Sequence, residues 1–179
     1  MLYNDCIMIA KCVFYIHILC EWGAGMIIGH LEDYSAYREI VATWIYDEFI
    51  KGIKHDVSYE RILSGVSISS KNGLPVRLVA IEGDRCVGTV TLTRNDLRHR
   101  DYTPWLAALY VDEAHRGKKI AERLIDRVKD VCLELGYDEL YLRTEKAGGY
   151  YRKRGWQFVE SCEDDYGLVP DVFKFPLKT

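Results

Sequence analysis

Residues 111–135 read VDEAHRGKKIAERLIDRVKDVCLEL, and this stretch decides the fold. The apolar run Trp105–Val111 leads into it and reads as a strand. A short turn follows, carrying Arg116, Gly117, Lys118 and Lys119. Beyond the turn, Ile120, Leu124, Ile125, Val128, Val131, Cys132 and Leu135 fall on one helical face. At about 1.5–3 kcal/mol per large buried side chain, such a face contributes on the order of 10 kcal/mol gross. That face is core, so a ligand sits at the N-terminal end of the helix. There the first backbone N–H groups lack partners, and the macrodipole adds partial positive charge. A glycine lets the backbone come close to an anion. A strand, a basic glycine-containing turn and a helix together suit a bound phosphate.

Upstream of this unit, residues 26–31 read as a short strand. Asp33 or Ser35 is placed to cap a helix. Tyr37, Ile40, Val41, Trp44, Ile45 and Phe49 give that helix one apolar face, and Gly52 ends it. Ser58 starts a shorter helix carrying Ile62, Leu63 and Val66, and residues 64–73 read as a loop. The strands Val76–Glu82 and 86–93 are joined by Gly83-Asp84, a tight hairpin. A charged loop, 94–103, leads back to the strand before the turn. Downstream, Gly136 closes the long helix; strand 140–143, helix 147–154, strand 156–162, an acidic loop 163–171 and strand 172–177 follow. The order is β α α β β β α β α β β, without repeat or linker. It predicts a single α/β domain over residues 26–179.

The 49% hydrophobic content suffices for a real core. A net charge of −3 argues against a general nucleic-acid binder. Six scattered cysteines are not a disulfide scaffold. Cys86 and Cys132 sit at apolar positions and read as reduced buried thiols, which fits a cytoplasmic protein. Residues 1–25 read as a peripheral arm whose removal leaves a folded, active protein. The apolar part, residues 6–20, is interrupted by Lys11 and His17 and falls short of the ~20 residues that span a bilayer. Residues 12–20 have the length of a signal-peptide core, but the basic start is poor. Cys6, Cys12, His17 and Cys20 do not have the spacing of a zinc site, so no metal is expected.

Asp112-Glu113-Ala114-His115 spells a helicase box, but no GxxxxGK[ST] loop exists to hold a nucleoside triphosphate. GxGxxG and HExxH are absent too. The turn 116–121, taken with Tyr151 four residues before Gly155-Trp156, resembles the GNAT superfamily of acyl-CoA-dependent N-acyltransferases. That family carries R/Q-x-x-G-x-G/A here. This chain reads Arg116-Gly117-Lys118-Lys119-Ile120-Ala121, with Lys119 where the family has its first glycine. The resemblance covers residues 26–179 and is most specific over 104–158.

The resemblance implies a mixed, splayed β-sheet flanked by helices on both faces. It also implies transfer of acetyl from acetyl-CoA, without a metal, to a small-molecule or peptide amine in a ternary complex. The diphosphate falls to Arg116, Gly117, Lys118, Lys119, Ile120 and Ala121. A strand bulge at Leu109, Tyr110 and Val111 serves the pantetheine arm and the thioester oxygen. Tyr151 becomes the general acid for the leaving thiolate, although Tyr150 is adjacent. Thr144 takes the place of an asparagine that contacts CoA. The base varies across the family; Glu82 and Asp112 are the candidates here. Glu32, Asp33, Tyr34, Asp47, Glu48, Glu163, Asp164, Asp165 and Tyr166 mark the substrate side, and their acidity suits a cationic amine. The basic loop 94–100 borders either the cofactor's phosphates or an acidic partner. Dimers are common in the family. The alternative is a non-catalytic CoA-binding or partner-binding module, which Lys119 keeps open.

Overall fold

The computed structural model describes residues 25–52 and 57–178. Its seven-stranded sheet has the order β1-β2-β3-β4-β5-β7-β6. The strands are β1 (Met26–His30), β2 (Val76–Glu82), β3 (Arg85–Thr93), β4 (Trp105–Val111), β5 (Glu139–Thr144), β6 (Gln157–Ser161) and β7 (Asp171–Pro176). The pair β4–β5 is parallel and the other neighbours are antiparallel. The helices are α1 (Arg38–Ile45), α2 (Tyr59–Ser67), α3 (Ile120–Glu134) and α4 (Gly148–Arg152). This is the element order read from the sequence.

Side chains of a strand alternate between faces, and here both faces are covered. Leu78 and Ala80 of β2 join Leu124, Val128 and Cys132 of α3, with Tyr151 of α4. Val79 and Ile81 face the other way, onto Val41, Ala42 and Ile45 of α1 and Val66 of α2. Gly88 of β3 sets how closely α3 approaches. A Cβ there would lie 2.9 Å from the Tyr110 carbonyl oxygen and 3.2 Å from Leu124. The bare backbone lets the start of α3 settle on β3 and β4.

The sheet opens at its centre. β4 and β5 pair only at Trp105↔Tyr141 and Leu106↔Leu142. On the other edge of β4 the register steps from Thr91↔Ala107 to Thr89↔Tyr110. Two residues, Ala108 and Leu109, therefore oppose Val90, and Ala108 holds φ +49°. Such a bulge bends its strand, here away from β5. It begins one residue before the stretch expected from the sequence.

Several local expectations change. Neither Asp33 nor Ser35 caps α1: Ser35 opens a 3₁₀ turn, and Asp33 pairs with Lys71 at 2.5 Å. Ser58 does cap α2, accepting from the Arg61 N–H at 3.3 Å. That helix runs to Ser67, into the expected loop. Ile40 is 39% exposed and so lies outside the apolar face. α1 passes into a π-turn, Tyr46–Ile50, closed by Lys51 N–H donating to the Tyr46 carbonyl at 2.8 Å. The arm, with its cysteines and His17, lies outside the described residues except for Gly25. Among the described residues, no helix is long and apolar enough to cross a membrane. None of their side chains form a group of three suited to a metal ion.

Candidate active site

The turn before α3 is built from backbone conformation. Asp112 caps the short 3₁₀ segment Glu113–His115, accepting from the Ala114 N–H at 2.9 Å. Gly117 takes φ +80° and Lys119 takes φ +61°. Lys119 thus holds the left-handed conformation that glycine adopts without strain. It is the N-cap of α3, and no side chain caps that end. The first helical bond runs from the Arg123 N–H to the Lys119 carbonyl at 3.1 Å. The N–H groups of Ile120, Ala121 and Glu122 therefore have no helical acceptor. They open on a cleft of about 410 Å³ lined by Leu109, Tyr110, Val111, Arg116, Gly117, Lys119, Ile120 and Ala121.

Arg116 is held along this cleft. Its Nε donates to the Val111 carbonyl at 3.1 Å, and its guanidinium lies 5.7 Å from the Tyr110 ring centroid. The Asp112 N–H donates to the Val87 carbonyl across β3–β4. By strand alternation the polar groups of Val111 face the opposite side, toward the opening between β4 and β5. Lys118 is not in the cleft lining; its Nζ sits 3.5 Å from Glu82.

A second cleft, of about 700 Å³, includes Ala107, Ala108, Leu109, Leu142, Arg143, Thr144 and Tyr151 in its lining. Leu109 and Glu48 line both spaces, so the clefts adjoin at the bulge. The adjacent tyrosines divide between them. Tyr150 lines the smaller cleft, under the Arg154 guanidinium at 3.6 Å. Tyr151 lines the larger one, its ring packed against Trp156 at 5.6 Å. Burial pushes the Tyr151 phenol up to about 12. Thr144 also lies in the larger cleft, and its Oγ1 accepts from the Ala147 N–H at 3.0 Å.

Both base candidates lie outside the larger cleft's lining. His115 stands between them, its Nε2 3.5 Å from Glu82 and its Nδ1 3.3 Å from Asp112. The bonds from His115 and the Ala114 N–H hold the Asp112 carboxyl below its usual range. Of the acidic substrate-side set, Glu48, Asp164, Asp165 and Tyr166 reach the larger cleft. Asp47 pairs with Lys51 at 3.1 Å.

The basic loop meets an acidic partner within the chain. Arg98 and His99 approach Asp165 at 3.3 and 3.5 Å, and Arg100 binds Glu160 at 2.6 Å. Arg143, which sequence reasoning passed over, ties the cleft wall together. It binds Asp96 at 2.8 Å and Asp164 at 2.6 Å, joining β5 to the loops on either side. Burial raises the Asp96 carboxyl, with Arg143 opposing. Asp164 is lowered despite its burial, because the N–H groups of Tyr166 and Leu168 and the Arg143 guanidinium bind its charged form. Gly88 and Ala108 were also missed; only long-range contact and strand register reveal them. Burial raises the Cys86 thiol to about 11 and the Cys132 thiol to about 12, and neither residue lines these clefts.

The model of the acetyltransferase (GNAT) family matches residues 25–156. A search of curated proteins finds no match. Among solved structures, a GNAT-family acetyltransferase from Staphylococcus aureus Mu50 is 21% identical, with a TM-score of 0.62 over 85% of this chain and 100% of its own. An aminoglycoside 6'-N-acetyltransferase complexed with coenzyme A is 14% identical, with a TM-score of 0.66 over 86% of this chain and 98% of its own. The protein yncA from Salmonella typhimurium, solved with its cofactor acetyl-CoA, is 15% identical, with a TM-score of 0.67 over 86% and 95%. These likenesses extend to the fold.

Proposed function

The chain belongs to the acetyltransferase (GNAT) family, and on that premise we propose that it transfers an acetyl group from acetyl-CoA directly to an amine in the larger cleft. The observation that carries this is the meeting of two clefts at Leu109, one beside an uncapped helix start and the other containing Tyr151.

The residues of the smaller cleft fit a diphosphate. The unpartnered N–H groups of Ile120, Ala121 and Glu122 donate to its oxygens, in the positive field of the helix start. Arg116 adds a cation, already oriented by Val111. The Val111 N–H at the opened strand edge, its carbonyl already accepting from Arg116, suits a carbonyl of the amide-rich pantetheine arm. Donors freed at the bulge are available to an acyl oxygen. Bound here, acetyl-CoA supplies an activated thioester. Tyr151, protonated at neutral pH as an unperturbed phenol also is, donates its proton to the departing sulfur. Thr144 and Arg143 shape the wall beside it. Lys119 does not favour a non-catalytic module, because its backbone already takes the conformation a glycine would supply.

A thiol-release assay against a panel of primary amines tests the reading. Tyr151→Phe lowers kcat by roughly ten- to a thousand-fold while acetyl-CoA affinity stays within about twofold. Unchanged turnover would remove Tyr151 from the chemistry.

A further inference from the structure

Eight carboxylates lie in or near the two clefts: Glu48, Glu82, Asp96, Asp112, Glu122, Glu145, Asp164 and Asp165, of which Glu122 binds Arg154 at 2.6 Å. Most are engaged. Asp96 and Asp164 bind Arg143, and Asp165 pairs with Arg98 and His99. Glu82 faces His115 and Lys118, and Asp112 caps its turn. Glu145 lines the larger cleft alone. Glu48 lines both clefts, has an exposed side chain and makes no ion pair with a described residue. It also sits on the π-turn Tyr46–Ile50. Such insertions shift a helix's facing and recur at functional sites. The same segment supplies Phe49 and Ile50 to the larger cleft, beside Ile45 and Val57. Glu145 also makes no ion pair with a described residue, but only Glu48 combines that with a place in both linings, next to this short apolar wall.

We propose that Glu48 binds the acceptor's ammonium group at this junction and conducts the proton it loses to water. The proposal rests on the acetyl-transfer reading and names the acceptor as a primary amine, positively charged in solution, with an apolar segment next to its nitrogen. An ammonium has no lone pair. It gives one proton to the Glu48 carboxylate, which passes it to solvent. The freed lone pair then forms the C–N bond as the thioester C–S bond breaks. Tyr151 donates to the sulfur and regains a proton from the new amide nitrogen through water. One proton thereby reaches solvent and one reaches the thiol. Glu48 shares the smaller cleft's lining with Leu109, Tyr110 and Val111 of β4.

The test uses the full chain loaded with CoA, so that no turnover occurs, and n-butylammonium as the probe. NMR titration gives saturable binding in the natural protein and at least about tenfold weaker binding in Glu48→Gln, with partial recovery in Glu48→Asp. Calorimetry gives CoA affinity within about twofold for all three. With any amine the natural protein acetylates, Glu48→Gln raises KM at least about tenfold. Equal butylammonium binding by Glu48→Gln, or none by the natural protein, overturns the proposal. Loss of CoA binding by the natural protein sinks the acetyl-transfer reading instead.

Discussion

Replacing Lys119 by glycine separates what the backbone of the turn does from what the side chain does. Lys119 holds φ +61° and ψ 19°. A non-glycine residue there costs about 1–2 kcal/mol in contact between its Cβ and the following carbonyl. Glycine removes that cost but adds about 0.4–1 kcal/mol of unfolded-state entropy. The Lys119 side chain is exposed and pairs with no described carboxylate, so little else is lost. The net is a gain of about 0–1.6 kcal/mol. For a chain of this size that raises Tm by up to about 6 °C. The removed cation at the cleft rim lowers acetyl-CoA affinity by at most about fivefold, less at high salt. Thermal unfolding and calorimetry at two salt concentrations measure both. A clear fall in Tm would show that the side chain holds the turn. An affinity gain above about tenfold would show that it obstructs the cleft.

Arg116→Ala weakens acetyl-CoA binding by about tenfold, the lower end for a charge-assisted hydrogen bond because its side chain is 52% exposed. Its kcat changes little, and calorimetry showing undiminished affinity contradicts the phosphate assignment. Gly88→Ala forces a Cβ against the Tyr110 carbonyl and destabilises the fold by about 1–3 kcal/mol in urea titration. The same change lifts the start of α3 and weakens acetyl-CoA binding; unchanged stability would contradict the close approach. Arg143→Met leaves Asp96 and Asp164 without their cation and costs about 3 kcal/mol by denaturant unfolding. The smaller cleft is left alone, so acetyl-CoA affinity per folded molecule holds, and a large loss would show that the two clefts are not independent.

The architecture was legible because its signals are local. Ile120, Leu124, Val128 and Val131 announce α3 by spacing, and Gly83-Asp84 announces the β2–β3 hairpin. The uncapped start of α3 after the turn 116–121 was legible because strand, glycine-containing turn and helical spacing follow one another in sequence. The bulge was less legible. Ala108 is an ordinary strand residue until the register with β3 leaves it unpaired. The π-turn was invisible, because Tyr46–Ile50 continues a helical pattern while changing the hydrogen bonds beneath it. The surroundings of the base candidates were not legible for a related reason. Glu82 and Asp112 lie near β4, but His115 and Lys118 engage them outside the larger cleft. The partners of the basic loop are Asp165, 67 positions from Arg98 in sequence, and Glu160, which binds Arg100, and only the fold brings them together.

The central claim is that the uncapped start of α3 receives a diphosphate. A crystal structure of the chain with CoA measures this most directly. The diphosphate oxygens are expected about 2.7–3.2 Å from backbone nitrogens of residues 117–122, with Arg116 alongside. A CoA lodged elsewhere, or those nitrogens left to water while the Lys119 side chain fills the cleft, would contradict it.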